Sequence, residues 1–264
     1  MHQFFSRRSA LKIASSSVPF VGSMLAAPPA PAGADATNAF PLQSPAMVRE
    51  MVIVSHGNKK RVQDLLEAHP SLAKAAIDWG FGDWETSLGA ASHTGHRQIA
   101  ELLISNGARP SLFSATMLGH LDVVKAFVAA QPGAQRIQGP HSISLLAHAK
   151  AGGAQADAVL RYLESLGDAG TPPEVPLTGD DVAALKGIYA FGSGTTERIE
   201  ITVMSGQLLF TRVGTTARGL THLGDRTFHP AGASAVRIRF ASSRGAMLLT
   251  VHDPDVVLTA QRIS

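Results

Sequence analysis

One pattern recurs three times in the first half of this 264-residue chain, a Gly followed by Asn or His and then apolar residues at fixed offsets. It reads Gly57-Asn58…Val62…Leu65-Leu66, then Gly95-His96…Ile99-Ala100…Leu102-Leu103-Ile104, then Gly119-His120…Val123-Val124…Phe127-Val128. Apolar residues fall at plus five, plus eight and plus nine in every copy, which puts one stripe on one face of a helix. The copies lie 38 and 24 residues apart, bracketing a repeat length of about 33.

The fullest copy runs Thr86-Ser87-Leu88-Gly89-Ala90-Ala91…Gly95-His96…Leu102-Leu103…Asn106-Gly107-Ala108 and resembles an ankyrin repeat with Gly89 in place of the usual His. The resemblance implies a solenoid of about four repeats over residues 43–168, a protein-binding scaffold and not a catalyst. A last, degenerate copy contains Ser144-Leu145-Leu146-Ala147-His148-Ala149 and Val159-Leu160…Tyr162-Leu163…Gly167.

The finger of the complete repeat holds both tryptophans: Asp78-Trp79-Gly80-Phe81-Gly82-Asp83-Trp84-Glu85. In ankyrin domains such a finger projects beside the groove, so Trp79, Phe81 and Trp84 are candidate anchors for a protein partner. Asp78, Asp83, Glu85 and His93 are the candidate polar residues that set its register. Covering a neighbouring repeat's core is the competing use of the same rings. His96 and His120 match the family's Gly-His position, where the ring makes hydrogen bonds within the repeat. With no His-Glu-x-x-His or comparable spacing, the histidines, His56 and His148 among them, read as structural. No metal and no cofactor is expected.

Ser6-Arg7-Arg8-Ser9-Ala10-Leu11-Lys12 resembles a bacterial twin-arginine export motif, and Ile13 to Ala27 is too short and too polar to be a permanent membrane span. Residues 1–36 therefore read as a cleaved signal, implying a periplasmic or secreted protein. Without Arg7, Arg8, Lys12 and Asp35, twenty basic and nineteen acidic residues remain, a balance that argues against a nucleic-acid partner. Cysteine is absent, so disulfides and thiolate metal sites are excluded.

Gly167-Asp168-Ala169-Gly170-Thr171-Pro172-Pro173-Glu174-Val175-Pro176 has linker punctuation, and the period changes from helical to strand-like across it. The expected organisation is a linker at 169–178 and an antiparallel β-domain at 179–264. Eight strands are expected: residues 187–191, 197–204, 207–213, 218–223, 226–228, 235–241, 246–252 and 256–263. Such a run suggests a small up-and-down barrel or sandwich, giving an α+β multidomain chain overall. Leu185-Lys186-Gly187-Ile188-Tyr189, the Gly206-Gln207-Leu208 hairpin and Val236-Arg237-Ile238-Arg239-Phe240 are similar to the lipocalin-like domains appended to bacterial β-lactamase-type serine hydrolases. That resemblance implies no catalytic residue here.

Ser71-Leu72-Ala73-Lys74 fits Ser-x-x-Lys, but the companion motifs of that chemistry are missing. Gly192-Ser193-Gly194 lacks the Gly-Lys-Ser/Thr of a phosphate loop. The sequence thus points to a non-catalytic protein that binds a protein partner of unknown identity. One alternative is a carrier of a small apolar ligand in a barrel lined by Ile201, Leu209, Ile238 and Leu248. A third reading is an enzyme with a site between the domains.

Overall fold

Polar caps start most of the helices. Ser44 accepts from the Met47 amide to cap α1 (Pro45–Val54), with Pro45 at a position where its missing N–H costs nothing. Asn58 caps α2 (Lys59–Ala68), and Thr86 caps α3 (Ser87–His93), which leads to α4 (Arg97–Ser105). Ser111 and Ser114 form a reciprocal capping box on α5 (Leu112–Met117), followed by α6 (Leu121–Ala130). Ser144 caps α7 (Leu145–Ala151), which precedes α8 (Asp157–Leu166). The structure, a computed structural model, describes residues 42–254 and 256–264; the segment read as an export signal lies outside them.

The ankyrin reading is corrected: among the described residues the helices do not show an ankyrin solenoid. They vary from six to ten residues, and 3-10 turns interrupt the chain at Pro70–Lys74, Ala134–Arg136, Pro140–Ser142 and Gly153–Ala156. Their apolar faces divide into two cores. One gathers Met51, Val62, Leu66, Leu88, Ile99 and Leu103; the other gathers Val124, Leu145, Val159 and Leu163. The recurrent glycine has a local cause. Gly95 and Gly119 take φ of 75° and 79°, and a Cβ on either would sit 2.2 Å from a carbonyl oxygen, of Ala151 and Gln155 respectively. At these two copies the glycine therefore marks a tight junction where backbones touch and only glycine fits, whereas Gly57 faces the His96 ring, 3.1 Å from where its Cβ would stand. His96 and His120 stand at the N-caps of α4 and α6 without a side-chain capping bond.

A hairpin of β1 (Ala76–Asp78) and β2 (Trp84–Thr86) precedes α3, pairing Ala76 with Thr86, Ile77 with Glu85 and Asp78 with Trp84. Along β2 the strand period of two turns Glu85 inward while Trp84 and Thr86 face out.

The C-terminal part is a closed antiparallel barrel of eight strands. They are β3 (Gly187–Ala190), β4 (Arg198–Met204), β5 (Gln207–Arg212), β6 (Arg218–Gly224), β7 (Thr227–Pro230), β8 (Arg237–Ser243), β9 (Ala246–Asp253) and β10 (Val256–Arg262). Neighbours follow chain order, and β10 closes on β3. Positive φ at Ser205-Gly206 and Arg244-Gly245 matches the backbone hand that tight hairpins need. A short helix, α9 (Gly179–Leu185), precedes the barrel and contributes Val182 and Leu185 to its core.

The interior is filled by side chains. Tyr189, Phe228 and Phe240 meet there, with ring centroids 5.7 and 5.6 Å apart. The four ligand-lining candidates separate by pleat. Ile201 and Ile238 are buried in the core. Leu209 and Leu248 are corrected, because the alternation turns Leu208, Phe210, Met247 and Leu249 inward and leaves those two on the other face. No helix of the described residues is long and apolar enough to cross a membrane.

Residues Gln43–Ser264 form one compact unit, so the helices and the barrel are packed together. Phe81, at the tip of the β1–β2 hairpin, lies against the barrel core with its ring 6.0 Å from that of Phe210.

Candidate metal centre

The hairpin that carries Phe81 to the barrel carries two acidic residues inward. Asp83 and Glu85 are 3% and 0% exposed. Leaving a carboxylate buried without partners costs several kcal/mol, so the surroundings of each are informative.

Three imidazoles from separate elements surround Glu85. His93, the last residue of α3, places Nε2 2.9 Å from Glu85 Oε1. His56, just beyond α1, places Nε2 3.5 Å from Glu85 Oε2, and His141, in the 3-10 turn Pro140–Ser142, places its Nε2 at the same 3.5 Å. Trp79 donates its indole N–H to Glu85 Oε2 at 2.8 Å. The rings of His56 and His93 are 5.0 Å apart, and those of His93 and His141 5.7 Å.

The far side of two rings fixes their tautomers. His56 Nδ1 lies 3.1 Å from the carbonyls of Val52 and Ile53, so it carries the hydrogen and donates. His141 Nδ1 lies 2.9 Å from Asp83 Oδ2 and donates likewise, while the His141 amide donates to Asp83 Oδ1. In a neutral imidazole this leaves Nε2 as an acceptor. The Nε2 atoms of both rings face Glu85 Oε2, so the carboxylate is met either by ring N–H groups, when the imidazoles are protonated, or through a cation held between ring nitrogens and carboxylate.

Burial by itself would raise the Glu85 pKa, but bonds from His141 and His93, the charge of His56 and the Trp79 indole outweigh it and bring it down to about 2. Burial would lower that of His141; hydrogen bonds and charge from Asp83 and Glu85 overcome this and lift it to about 9. Asp83 is held below its ordinary range despite burial, by His141 and then by the charge of Arg218. Arg218, from β6 of the barrel, donates from Nη1 to Asp83 Oδ2 at 3.1 Å and to the Ala231 carbonyl at 2.7 Å.

The donor set suits a metal. One atom from each of His56, Glu85, His93 and His141 lies within 4.8 Å of the other three. A tetrahedral ion with bonds of about 2.05 Å places its ligands ~3.3 Å apart, close to the two 3.5 Å spacings, while the His93–Glu85 pair at 2.9 Å would have to open slightly. The Asp83–His141 pair has the form of the outer carboxylate that orients a ligating histidine. His56 and His141 keep 29% and 31% of their side-chain surface, so the cluster has an open edge. His148 stands behind it with its ring 6.4 Å from that of His93. Its Nδ1 faces the Ser144 carbonyl at 2.8 Å, while its buried Nε2 has no partner among the described residues.

The predicted finger residues therefore divide. Asp83, Glu85 and His93 belong to this interior cluster, with Trp79 half-buried against Glu85 and Phe81 on the barrel. Of the three aromatic anchors only Trp84, at 64%, stays well exposed; Asp78 is exposed and accepts from the Gly80 amide. A freely projecting finger is thus corrected, because β2 alternates and the hairpin folds between the helices and the barrel. His56 and His93, read from the sequence as structural and as a register-setting residue, meet here on Glu85. His141 was not singled out by its sequence context. Its signal is weak, since the four donors sit 29, 8 and 48 residues apart along the chain and obey no short spacing.

Scans for a matching family model and for similar curated proteins found none.

Proposed function

We propose that this protein binds a divalent first-row transition metal, with Zn2+ the ion best suited to the ligands, through His56, Glu85, His93 and His141. The observation that carries the reading is the convergence of three imidazole nitrogens from separate elements on one fully buried carboxylate. Nitrogen and oxygen donors of this kind serve Zn2+, Fe2+, Ni2+ and Cu2+, whereas Mg2+ and Ca2+ prefer all-oxygen shells. Asp83 would orient His141, and Trp79 would fix one oxygen of Glu85. A bound ion would supply a Lewis-acid centre at the open edge between His56 and His141.

Cobalt substitution tests this. Metal-stripped protein titrated with Co2+ is expected to develop the intense visible bands of a low-symmetry, four- or five-coordinate site at one equivalent. His93→Ala should abolish them. Only the weak spectrum of hexaaquo Co2+, in a folded protein, would count against the reading.

A protein partner remains a second reading on one observation, the exposed Trp84 ring. It is flanked by a cleft of about 260 Å³ between Phe113, Pro140 and Gly232. Trp84→Ala would weaken such a complex at least tenfold, as expected of an aromatic anchor, and unchanged affinity would remove the reading.

A further inference from the structure

Arg218 uses only part of its hydrogen-bonding capacity. Its side chain is 9% exposed, and both of its bonds, to Asp83 and to the Ala231 carbonyl, leave from Nη1. Among the described residues none accepts from Nε or Nη2. These two nitrogens form the edge of the guanidinium that grips a carboxylate through two parallel bonds. The side chain is held in place by its two Nη1 bonds, which leaves this edge free to meet a ligand.

That arginine lines a pocket of about 260 Å³, together with Trp79, Gly80, Phe81, Phe210, Arg212, Thr215, Thr216 and Asp253. Gly80, with φ of 113°, passes close to Nη2: a Cβ there would stand 3.8 Å from it. The Phe81 ring lies 6.0 Å from the Arg218 guanidinium carbon, and Arg212 adds a second cation at the rim. Among the lining residues Asp253 is the one acid against two arginines, and Asp83, outside the lining, is already paired with Arg218. The volume corresponds to about nine water molecules, and three aromatic rings supply an apolar wall.

We propose that this pocket binds a small organic carboxylate with an aromatic or otherwise apolar body. The carboxylate lies on the Nε–Nη2 edge of Arg218, and the body rests against Trp79, Phe81 and Phe210. None of the four donors of the metal cluster lines the pocket, although Trp79 and Arg218 touch the cluster through Glu85 and Asp83. Carboxylate binding is therefore tested in metal-stripped protein, where it does not require the metal reading.

Trp79 makes binding visible. In the full chain carrying Trp84→Phe, Trp79 is the sole tryptophan and its emission reports on the pocket. Phenylacetate is expected to change that emission saturably with Kd below about 1 mM, a modest affinity for a ligand of about ten heavy atoms. The neutral analogue 2-phenylethanol should bind at least tenfold more weakly. Arg212→Ala, at an exposed position, should weaken phenylacetate about fivefold with folding intact. Arg218→Lys, which keeps the charge and loses the fork, should weaken it at least tenfold. No saturable change, equal binding of the alcohol, equal response to inorganic phosphate, or full affinity in a folded Arg218→Lys protein would each overturn the proposal.

Discussion

Asp83 shows how much one side chain organises. Its two oxygens accept from the His141 amide, the His141 ring and Arg218, so one carboxylate joins a metal-ligand candidate to the barrel. Asp83→Asn keeps the shape and removes the charge. Loss of such an outer carboxylate commonly costs 10- to 100-fold in metal affinity, and a decrease of that size is the expected result by calorimetry. His148 makes a separate prediction. Its neighbours are Phe113, the Ser144 carbonyl and His93, and burial pushes its pKa from 6.5 to about 4, with the repulsion of His93 adding to this. A folded-state pKa below the unfolded one means that stability is present above pH 6.5 and lost as pH falls toward 4. The full loss is on the order of 3 kcal/mol. His148→Leu should flatten this limb in melts recorded at pH 7 and pH 5 with chelator present. An unchanged slope would show that His148 does not titrate as described.

At the scale of elements, legibility followed the strength of the local pattern. Strands β4, β5, β6, β8, β9 and β10 lie within about two residues of their expected bounds, because apolar alternation and Ser-Gly or Arg-Gly turns are visible in one dimension. Placing Leu209 and Leu248 inside was an error of one residue in register, and a one-residue slip exchanges the two faces of a strand. α9 was missed, since its seven residues open with Gly and two aspartates and offer almost no amphipathic period. The Gly-His recurrence was real but meant less than an ankyrin repeat, since any tight junction between helices asks for glycine. Gly119→Ala tests that explanation. With φ of 79° and a carbonyl oxygen 2.2 Å from the new Cβ, it should destabilise by about 2 kcal/mol or more, read from denaturant midpoints.

Over the whole molecule, the proposed metal site depends on bringing together what the sequence keeps apart. Glu85 and His93 were legible as polar residues near the finger, but their meeting with His56 and His141 needs α1, the β1–β2 hairpin, α3 and a 3-10 turn to be in place. The barrel takes part through Arg218 and through the close approach of Gly232, whose Cβ would stand 2.2 Å from the Asp83 carboxyl carbon. Gly232→Ala should therefore weaken metal binding from outside the helical half, with the barrel still folded by circular dichroism. Bound metal should in turn stabilise the folded chain, by about 2.7 kcal/mol at a free concentration one hundred times Kd. A melting temperature that ignores added Zn2+ would argue against such linkage.

Isothermal calorimetry of Zn2+ into metal-stripped, full-length protein, compared with Glu85→Gln, tests the central claim most directly. One equivalent bound with Kd below about 1 μM, and at least a hundredfold loss in a folded Glu85→Gln protein, is the predicted result. Absence of stoichiometric binding, or binding that survives Glu85→Gln unchanged, would mean that the cluster is a buried proton network and not a metal centre.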